Sequence, residues 1–154
     1  MRDVVIVDSV RTGLTKAFRG SFNLTRSDDM LAHCIDSLLD RNPNLSPEEV
    51  EDVVVGAATH AGEQDGNLAR LAVVLSKLPI TVAGVSINRF CSSGLQAIAI
   101  AANQIPRDRQ KWPLPVVLTL FRCAHARSPV KRNRISGYWM KNPISSWLWA
   151  ILQR

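Results

Sequence analysis

The residues best equipped for chemistry lie together in Asn88-Arg89-Phe90-Cys91-Ser92-Ser93-Gly94-Leu95-Gln96-Ala97. A cysteine attacks as its thiolate, so the local question is what would stabilise an anion at Cys91. A helix opening just after the cysteine supplies unpaired N–H groups and the positive end of its dipole. Ser92 or Ser93 is free to cap that helix, and Gly94 lets another backbone or a ligand come close. A thiol placed in this way suits nucleophilic acyl transfer through a thioester. The competing reading is a packed thiol, because free cysteine is among the most buried residue types.

The flanking sequence contains the elements such a turn needs. Val82-Ala83-Gly84-Val85-Ser86-Ile87 is apolar and rich in β-branched residues and reads as a buried strand. Leu95 to Asn103 is made mostly of good helix formers. Farther upstream, Asp3 to Asp8 fits an interior strand, and Ser9 to Asn23 a loop punctuated by Gly13 and Gly20. Ser27 is placed to cap a helix whose first turn carries Asp28 and Asp29. Met30, Leu31, Cys34, Ile35, Leu38 and Leu39 then recur at helical spacing. Ser46-Pro47-Glu48-Glu49 forms a capping box with proline at the first helical position. The helix it opens must be short, because Val53-Val54-Val55-Gly56 is already a strand. Asn67 can cap a helix holding Leu68, Leu71, Ala72 and Leu75. Alternation of this kind predicts an α/β fold, with a parallel sheet covered by helices on both faces. Such sheets place their chemistry at the carboxyl ends of strands, and Cys91 lies just past one.

Other polar residues offer less. His33 and Cys34 sit within the first helical pattern and read as surface or packing residues. His60, in the loop Thr59 to Gly66, invites pairing with Cys91, although a solvated loop histidine is the favoured reading. Arg11 and Thr12 read as structural, holding a bend or meeting a neighbour. Cys34, Cys91 and Cys123 make no metal-ligand pattern and leave an odd cysteine, which suits a reducing, cytoplasmic setting. No run has the length of a transmembrane helix, and Met1-Arg2-Asp3-Val4 does not open a signal peptide.

Of the 154 residues, 46% are hydrophobic and 21% charged, the balance of a soluble globular protein. The net charge of +6 is unevenly spread. Residues 1–105 hold nine Lys/Arg and twelve Asp/Glu, whereas residues 106–154 hold ten Lys/Arg and a single acid, Asp108. All four tryptophans and five of the eight prolines also fall in the second part. The chain therefore divides near Ile105 into an α/β part, 1–105, and an irregular basic tail, 106–154.

The segment Asn88 to Gly94 resembles the acyl-enzyme cysteine motif of the thiolases, the acetyl-CoA C-acyltransferases and acetyltransferases. Val4-Val5-Ile6-Val7-Asp8-Ser9-Val10-Arg11-Thr12, Gly20-Ser21-Phe22 and Gly66-Asn67-Leu68-Ala69-Arg70 match the same family in the same order. The resemblance covers residues 1 to about 105 and implies an incomplete thiolase N-terminal half-domain. It implies reversible thiolysis of a 3-oxoacyl-CoA, or acetoacetyl-CoA formation, as in fatty acid β-oxidation and other lipid metabolism. Cys91 maps onto the nucleophile, with Asn88, Ser92, Ser93 and Gly94 as the supporting turn. Coenzyme A enters as a substrate, with no prosthetic group or metal, and the complete family fold is a homo-oligomer. Thiolases also use a histidine in a Gly-His-Pro context and a second cysteine in a Cys-x-Gly-Gly-Gly context. Neither motif occurs in this sequence, and His125, in Ala124-His125-Ala126, does not match. The chain alone is therefore expected to lack turnover.

Beyond Ile105 the family pattern stops, and residues 106–154 read as an out-of-frame translation of thiolase-coding DNA. Shifting the frame by one base, Trp139-Met140-Lys141 forces Asp-Glu, and Trp149-Ala150 forces Gly. In the same frame Leu114 to Leu118 permits Ala-Gly-Gly-Val, and Leu148 to Arg154 permits Met-Gly-Asn-Thr-Ala-Glu, both thiolase-like. The alternative is a basic, Trp-containing tail that binds polyanions, although it carries no recognised nucleic-acid motif and no membrane-binding pattern. Sequencing the coding DNA separates the two. The shifted frame is expected to spell these stretches, and a shifted frame that is closed or meaningless would refute the reading.

Overall fold

The computed structural model describes residues 4–16, 20–104, 117–120 and 148–152. Its centre is the valine run of strand β2, Asp52–Gly56. Successive strand residues face opposite sides, so Val53 and Val55 point one way and Val54 the other. All three are fully buried. Val53 and Val55 pack with Leu31, Cys34 and Ile35 of helix α1, Ser27–Arg41, and with Leu68, Ala69 and Ala72 of helix α2, Leu68–Leu75. Val54 packs with Ala97 and Ala101 of helix α3, Ser93–Gln104. Helices therefore cover both faces, as the order of elements predicts. Strand β3, Ala83–Ile87, runs parallel to β2, with Val54 opposite Val85 and Gly56 opposite Ile87. A parallel pair needs a crossover, and α2 lies within it.

The local signals hold with adjustments. The capping box at Ser46 and Glu49 is formed, and the segment it opens is a single 3-10 turn, Pro47–Glu49. Asn67 caps α2 by accepting a hydrogen bond from the Arg70 N–H. Ser27 does not cap α1; it is the first helical residue, and Arg26 occupies the cap position. The Arg26 guanidinium reaches forward to the buried Asp28 carboxylate at 2.6 Å. In α2 the buried stripe is Leu68, Ala69, Ala72 and Val73, while Leu71 and Leu75 are exposed. Arg70 marks one polar side of the helix, but its other positions are all apolar, and the sequence does not say that Leu71 and Leu75 stay exposed while Leu68 and Ala72 are buried.

Two strands expected in the interior are more open. Val82 is buried, but Ala83 and Val85 of β3 are exposed, and among the described residues β3 pairs only with β2. Strand β1, Val5–Val10, leaves Ile6 51% exposed and does not join the parallel pair. It lies antiparallel to strand β5, Leu148–Leu152, which also pairs antiparallel with strand β4, Val117–Leu120. Within residues 106–154, which the sequence left without organisation, these two apolar runs are strands on one sheet with β1. β1 is tied to α1 through Asp8, which accepts from Arg41 at 2.7 Å and from Asn42 at 3.0 Å. Among the described residues no helix is long and apolar enough to cross a membrane.

This packing predicts a steep contrast between core and surface. Leu31→Ala, at a fully buried position between α1 and the sheet, is expected to cost about 2–5 kcal/mol in urea unfolding. Lys77→Ala removes an exposed ion pair with Asp40 and is expected to shift the same curve far less.

Candidate active site

Cys91 is delivered by a strand, a tight turn and a helix. β3 is bonded to its last residue, where Ile87 O accepts the Ala57 N–H at 3.0 Å. α3 begins at Ser93, leaving residues 88–92 for the turn, of which Phe90–Ser92 form one 3-10 turn. Asn88 opens it as an Asx turn, its Oδ1 accepting the Phe90 N–H at 2.8 Å. The Asn88 amide also donates to Ala58 O at 3.3 Å, joining the turn to the end of β2. The Ser93 hydroxyl accepts the Arg89 N–H at 2.9 Å and donates to Phe90 O at 2.7 Å. Ser93 is fully buried. It is the first residue of α3, and its hydroxyl turns back to close the preceding turn. Ser92 is exposed, and its N–H donates to Arg89 O at 3.0 Å.

Two features of this turn were not apparent from sequence. Phe90 adopts φ +50°, a left-handed conformation that is an outlier for a bulky residue. Such backbone strain costs about 1–3 kcal/mol and persists only where the surroundings enforce it. The second feature is Gly56, at the end of β2. A Cβ there would lie 2.3 Å from the Ser93 carbonyl oxygen and 2.7 Å from the Gly94 nitrogen. The glycine that admits this close approach of two backbones is Gly56, which lies against Ser93 and the Gly94 nitrogen. Only the glycine ending Val53-Val54-Val55-Gly56 signalled it in the sequence.

The cysteines differ sharply. Cys91 is exposed at the turn, whereas Cys34 is 1% exposed within the core. Burial pushes the Cys34 thiol up to about 11, partly offset by a hydrogen bond from the Thr12 backbone. Cys123 lies outside the described residues. His33 is exposed on α1. His60 is half-buried rather than solvated, and its Nε2 is buried without a hydrogen-bond partner. Among the described residues no hydrogen bond joins His60 to Cys91. The turn therefore exposes the Cys91 thiol and fixes its place.

Comparison with known proteins agrees with this geometry. Residues 4–114 match the thiolase N-terminal domain. The 3-ketoacyl-CoA thiolase of Aeromonas salmonicida is 43% identical over 105 residues, covering 68% of this chain and 27% of the relative. That of Pseudoalteromonas atlantica is 39% identical over 109 residues, covering 71% and 28%. That of Vibrio vulnificus is 41% identical over 105 residues, covering 68% and 27%. The chain belongs to the thiolase family. It spans about 27% of the length of the curated relatives it matches.

The contrast in burial predicts selective chemistry. Iodoacetamide is expected to label Cys91 in the folded chain and Cys34 only after unfolding, read by peptide mass spectrometry. The folded Cys34 thiol holds its proton more tightly than the ordinary value of 9.0. Above that pH the unfolded chain ionises first, so stability is complete below about 9 and falls as pH rises toward about 11. Cys34→Ala is expected to flatten this dependence in urea unfolding followed across that range.

Proposed function

We propose that Cys91 is the acyl acceptor of a thiolase-type acyl transfer acting on acyl-CoA thioesters. The observation that carries this reading is the exposed thiol on a clamped strand–turn–helix, in a chain belonging to the thiolase family. In the thiolysis direction the Cys91 sulfur attacks the ketone carbon of a 3-oxoacyl-CoA. The bond between carbons 2 and 3 breaks, and its electron pair passes to the departing acetyl-CoA carbon, which takes up a proton. The shortened acyl group stays on Cys91 as a thioester. The thiol of coenzyme A then displaces Cys91, and its proton returns to the enzyme thiolate. Coenzyme A is thus a substrate, and the reaction asks for no metal or prosthetic group.

These steps require a base for the thiol and an acid for the departing carbon. The family motifs Gly-His-Pro and Cys-x-Gly-Gly-Gly are absent from the 154 residues. General acid–base assistance is typically worth 10²–10⁴-fold, so this chain alone should acylate slowly and not cycle. The homo-oligomer, the cytoplasmic setting and the β-oxidation role belong to this same proposal. The homo-oligomer and the β-oxidation role follow from the family resemblance, and the cytoplasmic setting from the odd number of cysteines.

Incubation with acetyl-CoA followed by peptide mass spectrometry tests the proposal. One acetyl group is expected on Cys91 and none in the Cys91→Ser variant, with no sustained release of product. The reading fails if Cys91 is labelled by iodoacetamide yet never acquires an acyl group.

A further inference from the structure

We propose that Asn88 and Ser93 are positioning residues that aim Cys91 by clamping Phe90 in its left-handed conformation. The inference rests on reading Cys91 as the acyl acceptor, but it assigns roles that no part of that reading supplies. Phe90 immediately precedes Cys91, so its backbone angles set the direction in which the cysteine leaves the turn. Its φ of +50° runs against the preference of an aromatic residue. Both handles of this residue are held by side chains. Its N–H is taken by Asn88 Oδ1 at 2.8 Å, and its carbonyl by the Ser93 hydroxyl at 2.7 Å.

Each half of the clamp is itself anchored on the end of β2. Asn88 is bonded to Ala58 O, and the Ser93 carbonyl sits against Gly56. Phe90 is 62% exposed, so its conformation is not explained by burial of its ring in the core. Strain enforced from two sides next to a reactive thiol is the arrangement expected where backbone conformation serves a site. Released from the clamp, Phe90 would relax to negative φ, the following peptide would rotate, and Cys91 would point elsewhere.

The test uses the full chain, with Asn88→Ala, Asn88→Asp, Ser93→Ala, Phe90→Gly and the double variant Asn88→Ala/Phe90→Gly. Glycine adopts positive φ without help, so Phe90→Gly is expected to unfold at the same or higher urea concentration than the parent. Asn88→Ala is expected to lower the midpoint in the parent, and to lower it less in the Phe90→Gly background. Acylation of Cys91 by acetyl-CoA is expected to slow about 10- to 100-fold in Asn88→Ala and Ser93→Ala. Asn88→Asp keeps the acceptor for the Phe90 N–H but loses the donor to Ala58 O, and its rate is expected to fall between those of the parent and Asn88→Ala. Equal midpoint losses in both backgrounds, or an Asn88→Ala chain acylated at the parent rate, would overturn the inference. If the parent itself takes no acetyl group, the proposed function falls, and the midpoint comparison still decides the clamp. Iodoacetamide alkylation then replaces acylation, forming the Cys91 sulfur–carbon bond with loss of iodide. Its rate must differ between Asn88→Ala and Asn88→Asp for the positioning role to stand.

Discussion

Backbone meets backbone where Gly56 at the end of β2 lies against Ser93 and Gly94 at the start of α3. Nothing larger than a hydrogen fits on Gly56, so the helix can approach the strand end and bring its first residue into the interior. That approach buries the Ser93 hydroxyl where water cannot satisfy it, and the hydroxyl bonds to Arg89 and Phe90 instead. The turn is thereby closed and Cys91 is left at its exposed rim. A buried hydroxyl with both bonds made is stable; the same group with one bond missing would carry a desolvation penalty. The contact between two backbones therefore propagates, through one serine, to the placement of the thiol.

The rest of the fold makes this contact rigid. Val53 and Val55 hold β2 against α1 and α2, and Val54 holds it against α3. The strand is pinned from both faces, so its end is a fixed reference for the turn. β3 is attached to α2 by a polar cluster. Asn67 donates to Gly84 O at 2.7 Å and accepts from the Ser86 hydroxyl at 3.1 Å. Arg70 reaches the carbonyls of Ile80 and Val82. Gly84 admits the first turn of α2, since a Cβ there would lie 2.9 Å from the Arg70 nitrogen. Gly66-Asn67-Leu68-Ala69-Arg70, which stands out in the sequence as a family-like stretch, thus works by fastening the strand that carries Cys91.

Placement is one part of catalysis, and the two cysteines show how far the environment decides the rest. Cys34 shares the thiol chemistry of Cys91 but sits among leucines and valines, where an anion is unfavourable and the proton is retained. Cys91 stands at a strand end beside the start of a helix. Residue type alone would not rank them.

The α/β class, the helix spanning Asp28 to Leu39, the capping box at Ser46, the Asn67 cap and the strand–turn–helix around Cys91 were all legible in the sequence. Each rests on local chemistry: periodicity, capping hydroxyls and amides, and runs of β-branched residues act between near neighbours. What the sequence did not determine were the choices made by distant partners. It could not say that Leu71 and Leu75 of α2 stay exposed while Leu68 and Ala72 are buried, or that β1 pairs antiparallel with β5 rather than joining β2 and β3. Nor could it say that Ser93 closes the turn instead of capping α3, or that Phe90 is held left-handed. These depend on contacts between segments far apart in the chain, such as Asn88 with Ala58 and Ser93 with Gly56. A local pattern identifies the residues able to do chemistry, and only the tertiary structure decides which backbone holds them and where they point.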